Sequence, residues 1–359
     1  MLIVVGLAIV LGPRIVWHLT PTQQRGIVII DKTVPFRSYR EHSVFTWLLH
    51  NLKLADRHGD LASETQYLGY DPVAKRGVDF TTNDIAFADT VFIADTYGVY
   101  QLDYKVPGDI AALERSPKIY GGLSDDEVGA LEQFEQRGGT IIAELNTFAS
   151  PTADAPRARF EKLVGAKWSH WVGRYWSDMT DSSEVPKWVA RFYERHYHKP
   201  LEVDGPAFVL VKEDEDIVVL QPNLDLLPDI LTIHRTAEAP DLSGLPQETH
   251  ALYWTDIVER TDAEVLYEYA FALTAAGKAT FNEHGLPERF PAMLRKRGKN
   301  KGTTYYFAGD FIDTKLDLGD PERAGLLQWR RYARGSSGEP SEAFFWGWYA
   351  PVLARLIKP

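Results

Sequence analysis

Short apolar runs alternate with amphipathic stretches through the first 150 residues, and that rhythm predicts strands and helices in turn. Gly26 to Ile30 is a β-branched run ending on Asp31-Lys32-Thr33. Thr90 to Ala94 is a second, ending on Asp95-Thr96-Tyr97-Gly98, and Thr140 to Ala143 a third, ending on Glu144, Asn146 and Thr147. Uninterrupted runs of this kind read as strands buried on both faces.

Helical patterns lie between them. Ser124 with Glu127 spells a capping box, Val128, Leu131 and Phe134 follow at helical spacing, and Gly138 suits a left-handed C-cap, so the spacing predicts a helix over Asp125 to Arg137. Ser38 with Glu41 spells a second box, followed by Val44, Trp47, Leu48 and Leu52 on one face. Strand, loop and helix in that order open a doubly wound domain. Arg57 to Asn83 and Val99 to Gly122 read as loops.

The texture then changes. Trp168, Trp171, Tyr175, Trp176, Trp188, Phe192, Tyr193 and Tyr197, with His170, Arg174 and His196 among them, make residues 150–200 an aromatic-rich insertion, either a satellite core or a stacking surface. Within it, Phe160, Leu163 and Val164 predict a short helix, and Pro186 a helix start near Trp188. Strands are expected at Ala207 to Val211, Ile217 to Leu220, Glu264 to Ala270, Ala292 to Arg295 and Thr303 to Phe307. The turns Lys212 to Asp216 and Arg295 to Lys301 read as solvated hairpin tips. An extension over 321–359 carries Phe344 to Tyr349 and the helical positions Val352, Leu353, Leu356 and Ile357, which pack on the domain or meet a bilayer interface. The fold class expected is α/β: a mostly parallel, doubly wound sheet over 26–320, with the insertion and added antiparallel strands.

Composition narrows the function. With 45% apolar and 12% aromatic residues over 359, the chain can fill a substantial core, and a net charge of −11 argues against a nucleic-acid partner. The absence of cysteine excludes thiolate nucleophiles, cysteine-held metals and disulfides. Leu2 to Leu11 is an apolar run with no basic residue before it, broken by Gly12-Pro13-Arg14. Residues 1–19 read as a signal anchor or signal peptide, which would hold an extracytoplasmic domain at the cell membrane through one N-terminal anchor; the alternative is a buried first strand.

Side by side, the parallel strands put Asp31, Asp95 and Glu144 at their carboxyl ends, where open α/β sheets bind ligands, and Asp310 follows a further strand. Such acids favour the N-termini of the helices that come next. As a pair they can also act as general acid and base or nucleophile on a glycosidic bond, which makes Glu144, Asp95 and Asp31 the candidate catalytic residues. A third reading has the same acids hold a divalent metal with His42 as an added ligand. The candidate ligand-binding residues around them are Tyr39, Arg40, His42, Thr96, Tyr97, Asn146, Thr147, Arg174, Tyr175 and Asp310. No Gly-x-Ser-x-Gly elbow, Gly-x-Gly-x-x-Gly or Walker motif occurs, and no motif names a metal or a cofactor.

Leu123-Ser124-Asp125-Asp126-Glu127 through Gly138-Gly139-Thr140-Ile141-Ile142, with Arg297 to Asp310, resembles the class I glutamine amidotransferase-like superfamily. It is more narrowly similar to the non-amidotransferase branches seen in trehalose-utilisation-like proteins, β-galactosidase middle domains and domains linked to membrane transport. The segments Ile30 to Pro35, Tyr39 to His42 and Asp95 to Tyr100 resemble uncharacterised bacterial proteins with a hydrophobic N-terminus. The resemblance implies an elbow after the central strand that carries a cysteine in true amidotransferases. Here Glu144-Leu145-Asn146 stand in that region, so glutaminase chemistry of that kind is excluded. The expected function is a membrane-tethered binding or assembly module holding a glycan or cell-envelope component above Asp31, Asp95 and Glu144. Two alternatives stand: a carbohydrate-active hydrolase using Glu144 and one Asp, and a protein-partner subunit of a membrane complex.

Overall fold

The computed structural model describes residues 2–105, 116–250, 253–314, 316–335 and 339–358. Helix α1 (Leu2–Leu19) leads into strand β1 (Ile27–Asp31), helix α2 (Arg40–Asn51), β2 (Leu68–Asp71), β3 (Thr90–Asp95), α3 (Asp125–Gln136) and β4 (Thr140–Ala143). Next come α4 (Asp154–Val164), β5 (Ala166–Trp176), α5 (Lys187–Tyr197), β6 (Ala207–Lys212), β7 (Ile217–Leu220), β8 (Leu226–Arg235), β9 (Glu248–His250), β10 (Thr255–Arg260) and β11 (Glu264–Leu273). The chain continues through α6 (Ala275–His284), β12 (Arg289–Arg297), β13 (Thr303–Phe307), α7 (Leu326–Arg334), α8 (Pro340–Phe344), one π-helical turn (Phe345–Tyr349) and α9 (Ala350–Ile357).

A ten-stranded sheet runs in the order β9-β8-β11-β12-β13-β4-β3-β1-β2, closed at the far edge by Arg76–Gly77. Pairing is parallel from β13 through β4, β3 and β1 to β2, and antiparallel from β13 outward to β9. The parallel half has the doubly wound order in which the chain passes from β1 to one neighbour and then returns to the other. The switch point lies between β1 and β3, so a crevice opens beside Asp31 and Asp95. Gly69 lets β2 approach β1 there: at φ 138° it avoids the strain a side chain would meet, and a Cβ would stand 1.9 Å from the Asp31 carbonyl oxygen.

The Ser124–Glu127 capping box forms, with Ser124 Oγ accepting from Glu127 N. The Ser38–Glu41 box does not. Helix α2 starts after Tyr39, held in the left-handed region at φ 48° with no side-chain cap, because the Glu41 carboxylate is taken by Arg40. The 57–83 stretch is more than a loop, since it supplies β2. The 99–122 stretch supplies a short pair, Val99–Tyr100 with Lys118–Tyr120, and a 3₁₀ turn at Gln101–Tyr104; its residues 106–115 lie outside the described ones.

Strands β7, β6, β5 and β10 form a second, antiparallel sheet covered by α5. Trp176, Val189, Phe192, Val209, Val211 and Ile217 make its satellite core, while Trp168 and Trp171 are buried in the main one, so the aromatic insertion is not a stacking surface. The two turns expected to be solvated have exposed tips, Glu213–Asp214 and Lys299–Lys301, and their bases are anchored. Glu213 pairs with Arg157 and contacts His170, Asp216 contacts His196 and His284, and Arg295, in the strand before the second tip, lies buried between Asp241 and Glu264.

The leading segment is a helix and not a strand. Trp17 is buried, stacks on His50 at 5.5 Å and donates to the Asn51 carbonyl at 3.0 Å, which docks the second half of α1 on the domain. Among the described residues no helix is long and apolar enough to cross a membrane. Trp348 and Tyr349 are sealed in the main core against Tyr267, Phe307 and Phe311, and Trp346 against Trp47, and none is turned toward a bilayer interface.

Candidate functional site

Register places Asp31 opposite Asp95 at the carboxyl ends of β1 and β3. The two carboxylates are linked through Thr33, whose backbone N–H donates to Asp31 Oδ1 at 2.9 Å and whose hydroxyl donates to Asp95 Oδ1 at 2.6 Å. Gly98 N–H donates back to Thr33 Oγ1 at 2.8 Å, and Asn146 Nδ2 donates to Asp95 Oδ2 at 2.8 Å. Burial lifts the Asp95 carboxyl to about 6 against these hydrogen bonds.

His42 is enclosed on the opposite side of Asp31. Its Nδ1 lies 2.6 Å from Asp31 Oδ2 and its Nε2 2.8 Å from the Glu64 carbonyl. Burial opposes the charged ring, yet the hydrogen bond and charge of Asp31 outweigh it and raise the His42 pKa. Both ring nitrogens are committed, so His42 is placed to orient Asp31 and not to ligate a metal.

Glu144 closes the floor. Its Oε2 accepts from the N–H groups of Phe311 and Ile312 at 3.1 and 3.0 Å, and Oε1 from the hydroxyl of Tyr349. With 1% of its surface exposed it meets no solvent, and burial raises its carboxyl to about 8 despite three donors. Two residues on, Asn146 turns the chain at φ 70°, a conformation that Asn tolerates better than most residues. This is a tight turn directly after β4, with Asn146 at its apex. Thr96 Oγ1 donates to the Asn146 carbonyl and Thr147 Oγ1 to the Glu144 carbonyl, so both buried threonines build the turn.

Open space begins one shell further out. Glu41, Asp310 and Asp313 each bring a carboxylate oxygen within 4.8 Å of the others. Arg40 lies among them, with Nη2 2.8 Å from Glu41 and Nε 3.1 Å from Asp313. Burial, then Asp313, pushes the Glu41 and Asp310 carboxyls well up. Arg40 is the guanidinium set against this cluster. A cavity of about 650 Å³ opens from Asp310 and Asp313, walled by Tyr253, Phe344, Glu342 and Arg174, whose guanidinium stacks on Tyr253 at 4.9 Å. A second cavity of about 620 Å³ lies away from the carboxyl ends of the parallel strands, and four of the charges lining it pair with one another, Arg260 with Glu238 and Arg289 with Glu268.

The structure therefore gathers Asp31, His42, Asp95, Thr96, Asn146, Thr147 and Glu144 into a closed floor. It sets Asp310 and Arg174 on the wall of the open cavity, with Arg40 held against the wall residue Asp313. Tyr39 packs on His42 and Tyr67, and Tyr97 on Tyr100, at the rim. Tyr175 follows Arg174 along β5, so it projects to the opposite face and packs on the main core. Thr33, Glu41, Tyr253, Asp313 and Tyr349 belong to the site without having been singled out. The Asp310-x-x-Asp313 spacing after a strand was a usable signal, whereas nothing local marks Tyr253 or Tyr349.

No protein-family model matches the chain, and no curated protein matches it in sequence. Among solved structures it is similar to a β-galactosidase from Bacillus circulans sp. alkalophilus, with TM-score 0.37 and 11% identity over 80% of this chain and 30% of that one. The exo-β-1,4-mannosidase Op5Man5 from Opitutaceae bacterium strain TAV5 gives 0.34 and 12%, over 93% of this chain and 36% of that one. A ThuA-like protein from Bacteroides uniformis ATCC 8492 gives 0.37 and 11%, over 89% and 94%. The chain spans about a third of the length of the two glycosidases. Likeness this slight carries nothing about activity.

Proposed function

We propose that the chain is a binding module for a hydroxyl-rich ligand, a glycan or another cell-envelope component, held in the cavity beside Asp310. One observation carries the reading: Asp310, Asp313, Arg174 and Tyr253, whose hydroxyl donates to Asp313 at 3.3 Å, together line a space of about 650 Å³ at the carboxyl end of the sheet. Sugars need polar partners for their hydroxyls and aromatic faces for their C–H surfaces, and a cavity of this size takes a small oligosaccharide unit. The apolar run Leu2 to Leu11 supports a membrane tether, and the turn at Asn146 supports membership of a branch of the amidotransferase-like superfamily without its nucleophile. The test is a glycan-array and thermal-shift screen on the full chain. A hit whose affinity falls in Asp310→Asn and in Arg174→Ala supports the reading. A blank screen on folded protein overturns it in favour of a protein partner.

A second reading has its own observation. Glu41 and Asp310 share one cluster with Asp313, and burial, then Asp313, raises both carboxyls, the direction a general acid needs. A hydrolase would therefore use Asp310 of the cavity wall, with Glu41 as its buried neighbour, and leave Glu144 out. Release of reducing ends from a bound glycan, abolished in Asp310→Asn with binding retained, would select this reading. Absence of turnover on every glycan that binds removes it.

A further inference from the structure

Three side chains far from the strand-end cavity meet where the satellite core joins the main sheet. His196 lies in the last turn of α5, His284 is the last residue of α6, and Asp216 lies in the turn between β6 and β7. Asp216 Oδ1 is 3.2 Å from His196 Nδ1, and its Oδ2 is 3.1 Å from His284 Nδ1. One ligand atom from each of the three lies within 4.8 Å of the others. We infer that His196, Asp216 and His284 form a binding site for a divalent first-row transition-metal ion of zinc's class.

Three arguments converge on a cation. First, the donor set is two imidazoles and one carboxylate, which suits zinc and its neighbours and leaves a position for water. A tetrahedral ion with ligands at about 2.0–2.1 Å needs ligand atoms about 3.3 Å apart, so the His–Asp spacings require little movement.

Second, a hydroxyl stands behind one of the imidazoles. The Tyr197 hydroxyl donates to the Ile217 carbonyl at 3.1 Å and lies 3.4 Å from His284 Nε2, while His284 Nδ1 faces Asp216 Oδ2 at 3.1 Å. A partner on the far nitrogen orients the ring of a metal-ligating histidine.

Third, α5 and α6 both point their C-terminal ends at the cluster. The partial negative charge there favours a cation. An ion so placed would tie two helix ends to the β6–β7 turn and staple α5 over its sheet.

The experiment uses the full chain, stripped with EDTA and titrated with ZnCl2 by calorimetry and thermal shift, and with CoCl2 by visible absorption. The wild type is expected to bind one Zn²⁺ equivalent with a rise in Tm and to give the visible bands of four-coordinate Co²⁺. His196→Ala, which changes a half-exposed side chain and keeps the fold, is expected to weaken Zn²⁺ binding at least tenfold and to lose the bands, as is His284→Gln. Asp310→Asn is expected to leave both signals intact, separating this site from the acidic cluster. Absence of Zn²⁺ binding to the wild type, or equal binding by His196→Ala and His284→Gln, overturns the inference. The three side chains would then be an imidazolium–carboxylate triad.

Discussion

Lys32 Nζ lies 2.6 Å from Glu127 Oε2, and both side chains are sealed from solvent. Lys32 follows Asp31, and Glu127 is the capping-box residue of α3, whose Oε2 also accepts from Ser124 N–H at 2.9 Å. Burial pushes the Glu127 carboxyl up and Lys32 pulls against it. The pair ties the loop that carries Thr33 to the helix that precedes β4, so the site's two halves share one anchor. Lys32 also reaches the half-exposed Asp79 at 3.0 Å, so it is removal of the lysine that strands a buried charge, that of Glu127. Lys32→Met should cost about 3–5 kcal/mol, read from the urea midpoint, and adding Glu127→Leu should restore much of it. A Lys32→Met variant of unchanged stability would show that the pair contributes nothing.

Glu144 makes stability depend on pH. Its folded value near 8 exceeds its ordinary 4.5, so the folded state keeps a proton that the unfolded chain has released within that window. Stability is fully present below pH 4.5 and is lost as pH rises toward 8, at up to about 1.4 kcal/mol per pH unit. Glu144→Gln should flatten that slope and preserve the fold, because its carbonyl still accepts from Phe311 and Ile312. An unchanged slope in Glu144→Gln would place the titration elsewhere, with Asp256, lifted by burial to about 7, as the next group to test.

Thr33 holds both floor carboxylates. Thr33→Val removes the hydroxyl that donates to Asp95 and accepts from Gly98; Asp95 keeps Tyr97 N–H and Asn146, but the Gly98 N–H loses its acceptor, at a cost of about 1–3 kcal/mol. Thr33→Ser should recover most of the loss. A fall in melting temperature for Val alone is the expected pattern, and equal falls would assign the effect to the methyl group.

Trp17 fastens the second half of α1. Trp17→Ala deletes the stack on His50 and the bond to Asn51, and it should speed tryptic cleavage at Arg14 severalfold while the melting temperature of the domain changes little. Unaltered cleavage would mean that the ion pairs of Arg14 and His18 with Asp320 and Glu322 suffice to hold the helix.

The parallel half of the sheet was legible because its strands are buried on both faces and are spelled as unbroken apolar runs. Thr140–Ala143 and Thr303–Phe307 fall where those runs place them. Strand β8 was hidden because Pro228 and Asp229 interrupt it and the chain bulges at Ile230, whose φ is 35°. Strand β5 was hidden by aromatics that serve two cores at once. The acids at strand ends were visible for the same reason as the strands. What they do was not, since Glu144 is sealed by Tyr349, 205 residues away, and no local pattern encodes such a partner. Glu41 was mistaken for a capping residue because a Ser-x-x-Glu spacing says nothing about an arginine already beside the carboxylate.

The placement of Trp346, Trp348 and Tyr349 has a consequence for biosynthesis. Translation is vectorial, and the apolar surface around Tyr267, Phe307 and Phe311 is covered only when residues 345–357 have left the ribosome. Until then the nascent chain carries a greasy, half-built sheet with the Glu144 carboxyl lacking its Tyr349 donor. A variant without the π-helical turn would leave that surface bare, so this short stretch decides whether the nascent sheet stays sticky or becomes inert toward its neighbours.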